Sequence, residues 1–219
     1  MKFRIDLKIF LFLIIFYFTK QIQIYALIML FAIIHELGHL FAGVLTGMRP
    51  EKLEIKPYGV SISFKLFPKD YNIKIKNGNR LELKKIFVAL AGPLTNLIIV
   101  LLVVLIHREN PIRYTIIYSN ILLFIFNLLP IYPLDGGRII KSILHILYGK
   151  RNAEKYVNII SFIFLMIITF ISSILVYKLE NIAIFLIIIA LWIMYLREDI
   201  KYKKRNEIYK LVKKTIEIN

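Results

Sequence analysis

The most reactive combination of residues in this sequence lies inside a long apolar run. His35 and His39 are four residues apart, and Glu36 stands between them in the sequence HELGH. On a helix, side chains at positions i and i+4 share one face, so both imidazoles can bind a single Zn²⁺ ion. Glu36 is the candidate catalytic base, because its carboxylate can accept a proton from water, as in metalloproteases with the HExxH pattern. Ionisable side chains are costly inside a membrane span, which indicates a functional site.

A third metal ligand must come from elsewhere, since a catalytic zinc site typically has three protein ligands and a water. The remaining histidines, His107 and His145, fall outside the apolar runs and are expected at the surface. A better candidate is Asp135, within the sequence NLLPIYPLDGG at the end of an apolar run. Its prolines and glycines interrupt the helix, and irregular backbone at membrane depth can carry the acid back toward the metal. The sequence therefore predicts Asp135 as the third ligand.

Two asparagines within apolar runs are candidate substrate-binding residues. Asn96 ends the sequence AGPLTN, whose small residues let helices pack closely in lipid. Its side chain can hydrogen-bond to the metal-binding helix or contact substrate. Asn127 lies on the helix that delivers Asp135 and is the second candidate. A role in packing remains open for both.

The composition indicates what kind of protein carries these residues. The chain has 219 residues, of which 58% are hydrophobic and 20% charged. Soluble domains are about 45–50% apolar, so this sequence predicts an all-α polytopic membrane protein. The absence of cysteine excludes disulfides, thiolate metal sites and cysteine nucleophiles. The apolar runs predict six transmembrane helices, at residues 5–20, 24–47, 86–106, 112–131, 156–177 and 181–196.

Lysine and arginine are distributed unevenly between the segments that join these spans. Of the 30 basic residues, 26 lie in the two terminal segments and in the second and fourth loops, and 4 lie in the other three loops. This asymmetry follows the positive-inside rule and predicts that both termini are cytoplasmic. It also explains the net charge of +16 by contact with the cytoplasmic side of the lipid bilayer. Nucleic acid is not an expected partner.

The loop between the second and third spans has the pattern of a small β-structure. Apolar and polar residues alternate over residues 53–64, and Asn77-Gly78 separates two further alternating runs. An Asn-Gly pair in that setting is a strong hairpin signal. The sequence therefore predicts a β-hairpin or small sheet at the membrane surface, over residues 50–84 or thereabouts.

Taken together, these motifs resemble the site-2 protease family of intramembrane zinc metalloproteases. The resemblance rests on HELGH, AGPLTN and NLLPIYPLDGG, in this order, and covers roughly residues 5–197. The third motif, with KPYGV earlier in the chain, is most similar to the branch that contains stage IV sporulation protein FB. The resemblance implies that His35, His39 and Asp135 bind one zinc ion and that Glu36 activates water.

The resemblance also implies a substrate, partners and a location. They are a membrane-associated pro-sigma factor cleaved during endospore formation, regulatory membrane proteins, and the bacterial cell membrane or the membrane around the forespore. Residues 1–197 are then the protease domain and residues 198–219 a basic cytoplasmic tail, without the nucleotide-binding CBS domain of some members and without a PDZ domain.

Two alternatives to this function remain open from the sequence. The first is a general stress-signalling or housekeeping protease of the same family, acting on an anti-sigma factor or a signal-peptide remnant. The second is a zinc-binding membrane transporter or scaffold without catalytic activity. Replacement of Glu36 distinguishes the enzymes from the transporter, because only the enzymes need its carboxylate.

Overall fold

A computed structural model describes residues 2–5, 10, 14, 17–18, 22–56, 59–65, 75–106, 110–179 and 182–218. The chain separates into two compact units, Met1–Leu128 and Leu129–Asn219. The first unit contains, in chain order, β1 (Lys2–Ile5), α1 (Ile22–Leu45), β2 (Arg49–Lys56), β3 (Gly59–Lys65), α2 (Ile75–Leu105) and α3 (Pro111–Asn127). The second unit contains α4 (Asp135–Leu179) and α5 (Ile182–Ile218).

Three segments of the described helices are long and apolar enough to cross a membrane. They are Tyr25–Leu45, Gly78–Leu105 and Asp135–Leu175, and α3 adds a shorter apolar segment, Ile112–Asn127. These segments overlap the predicted second to fifth spans, although the last begins at Asp135 and not at residue 156. The predicted first span, residues 5–20, lies mostly outside the described residues, and the predicted sixth lies on α5, outside the three segments. The total of six spans therefore stays a prediction.

The helices of the chain expose apolar side chains and bury polar ones. Phe41 on α1 is 68% exposed and Leu105 at the end of α2 is 73% exposed. Asn96 and Asn120, in contrast, are fully buried at 0%. An apolar exterior of this extent is unfavourable in water and suits the hydrocarbon of a bilayer.

The two strands between α1 and α2 join the N-terminal strand in a three-stranded sheet, in the order β1-β2-β3. β2 and β3 form an antiparallel hairpin in which Leu53 pairs with Ile62 and Ile55 with Val60. This confirms the strands predicted from the alternation over residues 53–64. β1 pairs with β2 in parallel, and this strand was not predicted from the sequence.

The predicted hairpin at Asn77-Gly78 is wrong. These residues lie in the first turns of α2, which continues as one helix. Glu82 pairs with Lys85 one turn later (Oε1–Nζ 2.6 Å), and helical i, i+3 spacing of this kind, joined to the apolar helix that follows, outweighs the local turn signal. The described strands between α1 and α2 therefore cover residues 49–65, and the helix begins before residue 84.

The sheet packs on α1 at a glycine. The ring of Phe64, on β3, fills the space in which a side chain at Gly43 would lie, so that a Cβ there would overlap the ring. Gly43 lies one turn beyond the HELGH sequence. The hairpin is thereby held against the end of the helix that carries the candidate metal ligands.

The helices are interrupted where the prolines and glycines predicted a break. α3 ends at Asn127 and α4 begins at Asp135, with a cis peptide bond between Tyr132 and Pro133 in the connecting loop. α4 is itself broken at Gly149, whose φ of 78° lies in the left-handed region that favours glycine. α5 continues through the predicted tail as far as Ile218.

Polar contacts join α4 to α5. Asn158 donates from Nδ2 to Oδ1 of Asp199 (2.8 Å), and Nζ of Lys203 lies 2.7 Å from Oδ2 of the same carboxylate. Burial opposes ionisation of Asp199, but the hydrogen bonds from Lys203 and Asn158 outweigh it and hold the pKa of Asp199 below its ordinary value. The contact is therefore charged at neutral pH.

Gly78→Ala tests whether the Asn77-Gly78 pair is helical. Alanine is more favourable than glycine inside a helix by about 0.8–1.0 kcal/mol, whereas a hairpin turn of the Asn-Gly type needs a positive φ at glycine. We expect Gly78→Ala to raise the midpoint of thermal unfolding, followed by circular dichroism in detergent. Gly47→Ala is the matched control and should lower it, because Gly47 has a φ of 79° and equally open surroundings. A lower midpoint for Gly78→Ala would contradict the helix.

Candidate metal centre

Two imidazole rings face each other inside the first unit. The Nε2 atoms of His35 and His39 are 3.1 Å apart, and the ring planes are nearly perpendicular, at 87°. Both residues are buried, with exposed fractions of 6% and 3%. Two nitrogen ligands of one tetrahedral zinc ion lie about 3.3 Å apart, given Zn–N distances near 2.0–2.1 Å. The histidines are therefore spaced to share one ion.

The main chain of α2 orients the ring of His39. Its Nδ1 atom lies 2.7 Å from the carbonyl oxygen of Val88, to which it donates its proton. This hydrogen bond selects the tautomer that is protonated on Nδ1, so the lone pair of Nε2 is directed at His35. Zinc-binding histidines typically have a partner of this kind on the nitrogen that does not bind the metal.

Asn96 orients the other ring. Its amide group lies 3.1 Å from His35 (Nδ2–Nδ1), and its Oδ1 atom has no hydrogen-bond partner among the described residues. When Nε2 of His35 binds a metal, the ring proton is on Nδ1, and a rotated amide places Oδ1 where it accepts that proton. Metal binding thus gives the buried oxygen a partner. Of the roles considered for Asn96, the one seen in the structure is a hydrogen bond to the helix that carries the two histidines.

A glycine on α2 leaves the space that the two rings occupy. A Cβ atom at Gly92 would lie 2.7 Å from Nε2 of His35 and even closer to Nε2 of His39. The same two helices also approach closely at Gly38, whose missing side chain leaves room for Thr95. The close packing predicted for the small residues of AGPLTN is confirmed, and Gly92 in particular is needed by the metal centre.

Glu36 follows His35 on α1 and is buried, with 8% of its surface exposed. Successive residues of an α-helix are rotated by about 100°, so its carboxylate leaves the helix in a different direction from the imidazoles. It therefore lies beside the histidine pair rather than within it. This placement suits a proton acceptor that is not itself a metal ligand.

Asp135 begins α4 and is also buried, with 4% exposed. Nη1 of Arg138 lies 3.4 Å from its Oδ1, one turn along the helix. The partial positive charge of a helix N-terminus also favours a carboxylate there. A carboxylate binds a metal in its ionised form.

His35 and His39 lie in the first unit and Asp135 in the second. All three side chains are buried. Two imidazoles and one carboxylate are the donor set of a catalytic zinc site that keeps a position open for water. The partners on both rings are also those that the metal-bound form requires. The residues present therefore fit a zinc ion.

The structure gives less evidence on the other candidate residues, Asn127, His145 and His107. Asn127 donates from Nδ2 to the carbonyl oxygen of Leu123 (2.9 Å), a hydrogen bond within its own helix. Its role in substrate binding stays a prediction. His145 is half-buried on α4, in the second unit, and His107 lies outside the described residues.

Two contributors to the centre were not predicted for the role they have. Val88 acts through its backbone carbonyl, so its side chain carries no signal of the contact. Gly92 was interpreted as a packing residue only. Its position could have been found from spacing, since Gly92 and Asn96 are four residues apart and share one face of α2.

Comparison with known families gives the centre a context. The sequence profile described as "Peptidase M50B-like" matches residues 8–133, more than half of the chain, and that of "Peptidase family M50" matches residues 109–171. The chain belongs to the M50 peptidases, the site-2 protease family. The M50B-like match covers HELGH, which contains the two histidines, and AGPLTN, which packs against them, and it continues as far as Pro133.

Similar proteins carry related names. A zinc metalloprotease of Methanocaldococcus jannaschii is 29% identical over 139 residues, which are 60% of this chain and 37% of that protein. Stage IV sporulation protein FB of Bacillus subtilis is 28% identical over 138 residues, 61% of this chain and 43% of that protein. The chain thus matches less than half of the length of these relatives.

The fold of this M50 peptidase is that of a solved relative. A site-2 protease from Methanocaldococcus jannaschii superposes with a TM-score of 0.65 and 23% identity, over 90% of this chain and 91% of that one. The predicted fold class is confirmed to that extent: the chain is mostly helical, carries a small sheet and has the architecture of a site-2 protease.

Gly92→Ala tests the fit of the rings against α2. The added methyl group would overlap both imidazoles, so we expect the affinity for zinc to fall by about 100-fold, the upper range for partners of metal ligands. Competition with a chromophoric chelator on the purified protein measures it. Gly78→Ala is the control, because a side chain there meets no atom within 4 Å. Equal zinc affinity of the Gly92→Ala variant and wild type would contradict the described packing.

Substitutions of Asn96 test its hydrogen bond to His35. Asn96→Asp keeps an acceptor for the Nδ1 proton and should retain zinc, whereas Asn96→Leu has a similar volume without the acceptor and should bind zinc about 10–100-fold more weakly. Asn120→Leu is the control, since Asn120 is equally buried and donates within its own helix. If both leucine variants lost zinc affinity equally, the effect would be one of general packing.

Proposed function

We propose that this M50 peptidase is an intramembrane zinc metalloprotease that hydrolyses a peptide bond of a membrane-associated protein near the cytoplasmic face. The observation that carries the proposal is the buried pair of His35 and His39, with the buried carboxylate of Glu36 beside it. Buried ionisable groups on apolar helices are costly and are retained where they have a function. The family match supports the same chemistry.

Each residue has a definite task in this reaction. His35, His39 and Asp135 would hold the ion, and Val88 and Asn96 keep the two rings in the required tautomer. Zinc, when bound, supplies Lewis acidity that activates water and polarises the scissile carbonyl. The Glu36 carboxylate takes a proton from the attacking water and delivers it to the leaving amine.

We also propose that both termini are cytoplasmic and that the chain crosses the membrane several times. β1 and β2 pair in one sheet, so residues 2–5 and 49–56 belong to the same side of the bilayer. α1, a candidate span, lies between them, and an even number of crossings is therefore needed between residues 5 and 49. The span predicted for residues 5–20 would supply the second. The excess of lysine and arginine in these segments supports the cytoplasmic side.

The finer proposal concerns the substrate. We infer that it is a membrane-associated pro-sigma factor, processed in the membrane around the forespore under the control of regulatory membrane proteins. Similarity to stage IV sporulation protein FB supports this inference. A general stress-signalling or housekeeping role is the second candidate, because the Methanocaldococcus zinc metalloprotease is similar to the same degree and its name implies no sporulation.

Glu36→Gln is the decisive variant for the reaction. It keeps the size of the side chain and removes the base, and general-base catalysis typically contributes 10²–10⁴-fold. We therefore expect a loss of about that size in cleavage rate, with zinc content unchanged. Full-length chain is co-expressed with tagged pro-sigma and anti-sigma factors, cleavage is followed by immunoblot, and metal is measured on the purified protein.

Two further variants define the outcomes. Asp135→Ala should bind zinc much more weakly, because only the two histidines remain as ligands, and should lose cleavage. Glu82→Gln is the matched control, since Glu82 is an equally buried glutamate that pairs with Lys85, and it should cleave normally. Full cleavage by Glu36→Gln would overturn the mechanism, and zinc binding without cleavage of any substrate would favour the transporter or scaffold.

A further inference from the structure

The loop before Asp135 is held by a hydrogen bond to a later part of α4, the helix that Asp135 begins. The backbone N–H of Tyr132 donates to Oγ of Ser161 at 2.9 Å. Ser161 lies on α4 beyond the break at Gly149, and only 1% of it is exposed. A buried side chain thus provides the acceptor for a loop amide three residues before the candidate ligand.

The loop and the first turn of α4 form one tightly packed piece. A Cβ atom at Gly137 would lie 2.5 Å from the carbonyl carbon of Ile131 and 2.6 Å from Cα of Tyr132. Ile131 is itself completely buried, at 0%. Because the loop backbone rests directly on the turn that contains Asp135, a displacement at Tyr132 is transmitted to the acid.

The ring of Tyr132 is held by contacts that do not involve Ser161. Nζ of Lys141 lies 4.5 Å from the centre of its ring, and Lys141 also approaches the buried carboxylate of Glu154 (Nζ–Oε1 3.8 Å). Nε of Arg205, on α5, lies 3.2 Å from the other oxygen of Glu154. These contacts hold the ring and leave the backbone amide to Ser161, so the two restraints can be separated by mutation.

We propose that Ser161 is a positioning residue for the metal ligand Asp135. Its hydroxyl fixes the Tyr132 amide and thereby the direction in which Asp135 leaves the first turn of α4. Without this acceptor the part-buried amide loses its partner, and the loop gains by shifting to find another one. The inference rests on the proposed function, because it requires that Asp135 binds the metal.

Zinc affinity of the purified full-length chain, measured by chelator competition, tests the inference without any protease assay. Ser161→Ala should bind zinc about 10-fold more weakly, the lower range for partners of metal ligands, and Ser161→Thr, which keeps the hydroxyl, should restore the affinity. Ser172→Ala is the control, a buried serine about three turns further along the same helix. If Ser161→Ala does not fold, Ser161→Cys fills the same space with a weaker acceptor and carries the same expectation.

A double mutant separates positioning from general stability. If Ser161 acts through Asp135, Ser161→Ala causes no further loss of zinc affinity in an Asp135→Ala background. The visible spectrum of the Co²⁺-loaded protein should change in the same direction for both single variants. Equal losses in both backgrounds, or unchanged affinity of Ser161→Ala, would overturn the inference alone. A wild-type chain that binds no zinc would overturn it together with the proposed function.

Discussion

The packing of the first unit depends on two imidazole nitrogens that lie 3.1 Å apart between two apolar helices. Neither ring can rely on water, so each outer nitrogen needs a protein partner, and both partners come from α2. To supply them, α2 must approach α1 so closely that only glycine fits opposite the rings. The packing of the two helices is thus determined by the needs of the histidines at least as much as by apolar contact.

The buried carboxylate of Asp135, in the second unit, also needs polar partners from the protein, and it has them from its own helix. A carboxylate cannot be buried in an intact apolar helix without cost, and here the helix is interrupted immediately before Asp135. The interruption turns a helix N-terminus, with its partial positive charge, toward the acid, and Arg138 adds a full charge. Local backbone irregularity is therefore part of the chemistry of the site.

Local patterns in the sequence were easier to interpret than long-range connections. The histidine spacing and the proline- and glycine-rich break carry their meaning within a dozen residues, so they could be interpreted without knowledge of the fold. The hairpin over residues 53–64 was likewise local. β1 pairs with a strand more than forty residues later, and nothing in four residues at the N-terminus indicates that partner. At Asn77-Gly78 a local turn signal gave way to the helix that continues beyond it.

Contacts made by backbone groups cannot be predicted from residue types. The carbonyl of Val88 would be available whatever the side chain, and only the approach of α2 makes it the partner of His39. The role of Asn96 Oδ1, which has no hydrogen-bond partner in the part of the chain that the structure describes, likewise could not be predicted, because it depends on which nitrogen of His35 carries the proton. Such contacts follow from the fold and can be known only after it.

The break at Gly149 changes how much of α4 can traverse a bilayer. The piece from Asp135 to the break has fourteen residues and a length of about 21 Å, short of the roughly 30 Å of hydrocarbon, whereas the piece beyond it is long enough. The first piece is therefore too short to cross the hydrocarbon by itself. Because the loop before Asp135 is hydrogen-bonded to Ser161 on the longer piece, the acid at the tip of the short piece is positioned by the part of α4 that is long enough to span the membrane.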